Sequence, residues 1–141
     1  MIQLLSGIQN TTAALNAERT RLDVISENIA NAHTTKGLDG KPYQRKTVVF
    51  ETAMQQALNP GEAPTSAIQV ARIEKDTRPP VEVYEPGNPE ADARGFVALP
   101  NINIHEEMAD LISASRAFEA NLAVVKNARQ MALQTLAIGH H

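Results

Sequence analysis

The chain has 141 residues, enough for one ordinary domain with a core of its own. Apolar residues make up 43% of it but aromatic residues only 4%, with no Trp, which is poor material for the walls of a ligand pocket. Net charge is −3 with scattered basic residues, so the positive footprint of a nucleic-acid binder is missing, and the absence of cysteine excludes disulfides, thiolate catalysis and cysteine-ligated metal. A cysteine-free chain also suits a place outside the cytoplasm that does not depend on oxidative folding. Met1–Gly7 carries no positive cluster and no long apolar run, so it does not read as a signal peptide. No stretch approaches the roughly 20 apolar residues that a membrane span needs. Export would then follow a route that reads no cleaved signal.

The first element is a helix over residues 3–32. Ile8, Leu15, Leu22 and Ile29 recur every seven residues, and Leu4, Ile25 and Ala32 fill the half-steps. Such spacing makes a narrow apolar stripe suited to lengthwise packing on another helix. Gly7, Thr11 and Thr12 are weak helix formers and Glu18 sits on the stripe, so the helix is expected to depend on a partner. Each Leu or Ile fully buried there would contribute about 1.5–3 kcal/mol. Asn28 and Asn31, one turn apart, end the helix and leave two readings open. They cap a fraying end, as Asn does readily, or their amides fix the register between neighbouring helices.

Residues 36–42 read as a loop, and Tyr43–Phe50 as a strand rich in β-branched and aromatic residues. A short helical or irregular stretch is expected from Thr52 to Leu58, followed by the Pro60–Pro64 breaker. Further strands are expected at Ile68–Ile73, at Val81–Tyr84 between proline-containing turns, and at Phe96–Leu99. Asn103 is a good N-cap for the last helix, with Glu106 placed to complete a capping box and Glu106, Glu107 and Asp110 favoured by the helix dipole. Ile104, Met108, Leu111, Ser115, Phe118, Leu122 and Val125 form its stripe, resumed by Ala132 and Leu136, and Gly139 is its expected stop. The expected fold is therefore mainly α (α+β): long N- and C-terminal helices packed as a coiled coil, with a small β-rich insert between them. The divisions fall at residues 1–35, 36–100 and 101–141, the outer two forming one axial coiled-coil domain.

Few residues invite a catalytic reading. His105-Glu106-Glu107 resembles a metal or acid–base cluster, but no second His lies one turn away, so it reads as a polar first turn. His140 and His141 form a terminal tail, His33 follows the first helix, and Glu62, Glu90 and Asp92 sit in proline-rich turns. Ser115 reads as a small seam residue, and Arg116 with Glu119 as a surface pair, rather than as an activated serine near Ser113. No catalytic, cofactor-binding or metal-binding residue is assigned. The alternatives to a structural element are a soluble helical adaptor or export-chaperone-like module and a small metal-dependent hydrolase using His105 and Glu106.

Several segments carry a resemblance to a known family. Glu27–Thr35, with Asn28, Ala30, Asn31, Thr34 and Thr35, resembles the "N-x-A-N" and Thr-pair signature of bacterial flagellar rod and hook proteins. Tyr43-Gln44-Arg45-Lys46 is similar to the aromatic-basic run that follows it. Tyr84–Val97, with Tyr84, Pro86 and Gly95, resembles the "Y-x-P-x-x-P-x-A-x-x-x-G-Y-V" loop of the proximal rod members. Asn101–Met108 and Ile112–Asn121, with Glu106, Glu107, Ser113, Ser115, Arg116, Glu119 and Asn121, are similar to their "N-V-N-x-x-E-E-M" and "I-S-A-S-R-x-Y-E-x-N" helix. Phe96 and Phe118 stand where those members often have Tyr, which removes a hydroxyl but keeps the packing.

The resemblance implies a non-catalytic subunit of the flagellar proximal rod, the drive shaft that carries torque from motor ring to hook for motility. It implies helical assembly with copies of itself and with other rod proteins, terminal helices inside and insert outside. It further implies contact with the rod-to-motor-ring junction protein, passage through the flagellar type III export apparatus without a cleaved signal, and a final place in the basal body within the periplasmic space. Cofactors, nucleic acid and membrane insertion are not implied.

Overall fold

Two long helices bracket four strands: α1 is Ile2–Ala30, β1 Lys46–Gln55, β2 Thr65–Lys75, β3 Val81–Tyr84, β4 Phe96–Leu99 and α2 Ile104–Ile138. This computed structural model describes the backbone of residues 2–55 and 65–138, and the side chains of residues 7–52 and 67–138. The seam position Leu4 lies outside the described side chains. Gln56–Leu58, the Pro60–Pro64 breaker with Glu62, the Gly139 stop, His140 and His141 lie outside the described residues altogether.

In α1 the Thr and Ser hydroxyls fold back onto the helix, and its stability comes from packing on α2 and the hairpin. Thr11, Thr12, Thr20 and Ser26 each donate to the carbonyl four residues earlier, at 2.8–3.1 Å. The helix closes in a turn, with the Asn31 N–H on the Glu27 carbonyl and the Thr34 N–H on the Asn31 carbonyl. α2 begins on Asn103, whose side-chain oxygen accepts the His105 N–H at 3.0 Å. The expected capping box does not form. Glu106 points to solvent, and the Asn103 side chain serves the second helical amide alone.

α2 lies along α1 and runs antiparallel to it. Glu107 meets Asn28 and Asp110 meets Arg21, so positions rise on one helix as they fall on the other. Carried one turn further, the same register sets Ala17 opposite Ala114, two small residues buried to 4% and 0% exposure. The β1–β2 hairpin packs on α1 as well, so this helix is covered from two sides. β1 and β2 are antiparallel, from Lys46 opposite Lys75 to Gln55 opposite Thr65, with one irregularity between Val49 and Phe50. β3 and β4 form a separate antiparallel pair, Val81 opposite Leu99 and Tyr84 opposite Phe96.

The outcome is two helices with a small antiparallel insert, about half of the chain being helical. The strand limits differ from the sequence expectation at both ends of β1, and β2 runs longer than the expected Ile68–Ile73. Tyr43–Arg45 precede β1 instead of opening it: Tyr43 turns to Asn28 of α1 and Arg45 to Glu107 of α2, while Gln44 is exposed. Thr52–Gln55 continue the strand instead of breaking it, because β2 supplies a full-length pairing partner that overrides local propensity. Among the described residues, no helix is long and apolar enough to cross a membrane.

Candidate functional site

Three distant segments meet in one buried polar node. Asn28, near the end of α1, is 1% exposed and makes four hydrogen bonds. Its amide nitrogen donates to the Lys46 carbonyl (2.8 Å) and to Glu107 Oε2 (3.1 Å). Its oxygen accepts the Lys46 N–H (2.9 Å) and the Tyr43 hydroxyl (3.1 Å). An Asn side chain has two donor hydrogens and two acceptor lone pairs, and all are used. Glu107, on the first turn of α2 and also 1% exposed, takes Arg45 Nε on Oε1 at 2.5 Å. A charge ladder extends from this pair: Arg45 and Arg21 both approach Asp110 at 3.9 Å, and Arg21 lies 3.8 Å from Glu18. Lys46 Nζ pairs with Glu27 at 2.5 Å and stands 5.8 Å from the centre of the Tyr43 ring.

Tyr43 feels this environment. Burial, and then the charges of Glu27 and Glu107, push its phenol up to about 12. The hydroxyl therefore stays protonated and keeps donating to Asn28. Asn31 behaves differently from its neighbour one turn back. Its amide donates to the Glu27 carbonyl (2.9 Å) and its oxygen accepts the Thr34 hydroxyl (3.2 Å), both within its own turn.

A second motif segment shapes the β3–β4 loop. Asp92 Oδ1 accepts the N–H groups of Arg94 (2.8 Å) and Phe96 (3.0 Å), and Gly95 sits at φ +86°. A Cβ at Gly95 would lie 2.9 Å from the Tyr84 ring, so both conformation and space require glycine. Tyr84 packs on Phe96 with ring centroids 5.2 Å apart, and Pro86 stands beside the same glycine. Thr35 reaches this loop through a hydrogen bond to Glu90.

The remaining expected positions spread along the helices. Ile25 is buried; Ile8, Leu15, Leu22, Ile29, Ile104, Leu111, Ser115, Phe118, Asn121, Leu122 and Val125 are half-buried. Met108 and Leu136 are 50% and 58% exposed. Ala30, Glu106, Ser113, Arg116 and Glu119 are exposed. On the observed register Ile2 falls opposite about residue 130, and the turns after it run past the end of α1. That overhang carries Leu133, Leu136 and Ile138, the last 77% exposed.

Sequence reasoning did not single out Arg45, nor the buried residues Ala17, Val24 and Ala114. A signal for Arg45 was present. Glu107 lies three residues after Ile104 and four before Leu111, on the inner face of α2, and a carboxylate there must find a cation.

Two family models match the chain: flagella basal body rod protein over residues 8–37, and flagellar basal body rod FlgEFG protein C-terminal over residues 93–138. The first match contains Asn28 and the second Glu107, so the node ties together the two matched regions. Fold and matches together define a structural subunit of the flagellar basal-body rod, assembled with other rod components. Among curated relatives, flagellar basal-body rod protein FlgC of Yersinia enterocolitica is 41% identical, over 98% of this chain and 99% of its own length. FlgC of Salmonella typhimurium is 42% identical (96% and 98%) and that of Borreliella burgdorferi 40% (96% and 97%). The chain belongs to the FlgC family of flagellar basal-body rod proteins.

Proposed function

We propose that the chain is a non-catalytic subunit of the proximal rod, where the terminal helices of neighbouring molecules complete one another's seams as a coiled coil and carry torque from motor ring to hook. The observation that supports this most is the state of the seam. Most of its residues are only half-buried by the chain's own helix pair, and Leu133, Leu136 and Ile138 extend beyond it bare. A closed soluble adaptor would bury such residues itself. His105 and Glu106 are exposed while Glu107 is occupied by Arg45 and Asn28, which argues against the hydrolase reading.

In this reading residues 1–35 and 101–141 form the axial domain and residues 36–100 the insert on its outer side. Its partners are copies of itself, other rod proteins and the rod-to-motor-ring junction protein. The chain reaches the periplasmic part of the basal body through the flagellar type III export apparatus, without a cleaved signal.

Leu22→Asp tests the proposal. A charge in the seam costs several kcal/mol unless the helix shifts. The variant should be made and exported yet be missing from isolated hook–basal bodies, leaving cells without filaments. Normal swimming would count decisively against it.

A further inference from the structure

Leu38 is the barest large apolar side chain among the described residues, 113% exposed, yet the backbone that carries it is firmly tied. The Gly37 N–H meets the Lys41 carbonyl at 2.7 Å, and the Gly40 N–H closes onto the Gly37 carbonyl at 3.0 Å. Gly40 takes the left-handed φ of +74° that completes a three-residue turn with a bulge. The foot of this arch is braced as well, by the Tyr43 N–H on the Thr34 carbonyl and the Tyr43 hydroxyl on Asn28. Lys36 and Lys41 flank Leu38, both exposed and neither in an ion pair among the described residues. A lone exposed Leu is ordinary on a protein surface. One held on a braced turn between two unpaired lysines is a knob, provided that a matching hole exists.

The hole lies at the same end of the molecule. Between α1, the start of α2 and β1 runs an open groove of about 340 Å³. Val24, Ile25, Val48 and Phe50 supply its apolar lining, and Phe50 is still 37% exposed. Asp110 lines it too, with its side chain 48% exposed. Arg21 and Arg45 approach Asp110 only to 3.9 Å, beyond hydrogen-bond length, so its oxygens can take a closer ammonium. From Val24 to the end of α1 at Ala30 the helix rises only about 9 Å, and the arch departs a turn later.

We infer that the Leu38 arch of one copy seats in this groove of the next copy, with Leu38 against Val48 and Phe50 and a flanking lysine on Asp110. The inference rests on the rod reading, which sets copies side by side, and deepens it by naming one contact between them. Knob and groove match in chemistry, an apolar tip with two cations against an apolar lining with a half-exposed carboxylate. Because both lie near the end of α1, neighbours at similar height bring them together with little shift along the axis. The groove exists where both helices and β1 meet, so the contact belongs to the assembled rod and asks nothing of the free chain.

The test uses the cysteine-free background of the full-length chain. Two versions with different epitope tags are made in the same cells, one carrying Leu38→Cys and the other Phe50→Cys, and isolated hook–basal bodies are mildly oxidised. A disulfide-linked dimer bearing both tags is expected, which no bond within one chain can produce. Lys41→Cys is the second probe on the arch if Leu38→Cys is not incorporated. The mixed dimer should be lost when Phe50→Cys is replaced by Glu82→Cys, a β3 position that does not line the groove. Asp110→Lys in the Phe50→Cys chain should cut its yield per incorporated chain. Three results would overturn the contact: no mixed dimer from either arch probe although both chains are incorporated, as much dimer with Glu82→Cys, or a yield indifferent to Asp110→Lys. Absence of the tagged wild-type chain from the basal bodies is a different result, and it would sink the rod reading and this contact with it.

Discussion

The two ends of the helix pair are built by opposite rules. Where α1 ends and α2 begins, Asn28, Tyr43, Arg45, Lys46 and Glu107 satisfy one another's hydrogen bonds, joining segments up to 79 residues apart. Toward the far end of α2, Leu133, Leu136 and Ile138 stand exposed among the described residues. An apolar seam tolerates sliding, while a buried polar contact admits one register. The chain thus fixes its own geometry at the first end and leaves apolar side chains exposed at the second, which the proposed assembly would cover. A subunit that closed both ends would have no reason to assemble; one that closed neither would have no defined shape to assemble with.

Substitutions sharpen this contrast. The largest effect is expected from Asn28→Leu, which orphans both backbone groups of Lys46 and removes a donor from Glu107. About 3–5 kcal/mol of stability should be lost, measured by denaturant unfolding of the full-length chain. Ala114→Leu should cost about 1–3 kcal/mol by overfilling a site that is 0% exposed. Tyr43→Phe should cost about 0.5–1.5 kcal/mol, because the Lys46 N–H still serves Asn28.

The phenol of Tyr43 offers a separate check through its absorbance change, with a midpoint expected at about 12. Its folded value lies above the ordinary phenol value of 10.0, so the stability it contributes is present below that value and is lost as pH rises through about 12. A midpoint near 10 would remove Tyr43 from the buried node. Leu136→Ser should be the mildest, changing the stability of the free chain by no more than about 0.5 kcal/mol. Incorporation into basal bodies should nevertheless fall.

Much of the frame was legible in the sequence. The three-four spacing marked both helices, proline-containing turns bounded Val81–Tyr84, the strand at Phe96–Leu99 was expected, and Asn103 marked the start of α2. The most buried stripe of α1 was legible only at Ile25. It follows Ala17, Val24, Ile25 and Asn28 rather than the strict heptad of Ile8, Leu15, Leu22 and Ile29. A single-partner stripe is what heptad spacing describes, and α1 has two partners, α2 and the hairpin. Asn28 and Asn31 look alike in sequence, and their difference lies in partners 18 and 79 residues away for one and three or four for the other. Local pattern carries no information about such partners.

Because the chain has no cysteine, single introduced thiols can report on each end separately. The most direct measurement compares the labelling rates of Ile25→Cys and Leu136→Cys in the free full-length chain and in isolated basal bodies. Ile25→Cys should label slowly in both, because the chain buries that position itself. Leu136→Cys should label fast in the free chain and slowly in the rod, where a neighbour covers it. Fast labelling of Leu136→Cys in the rod, or slow labelling in the free chain, would contradict the division into a self-closed end and an end completed by assembly.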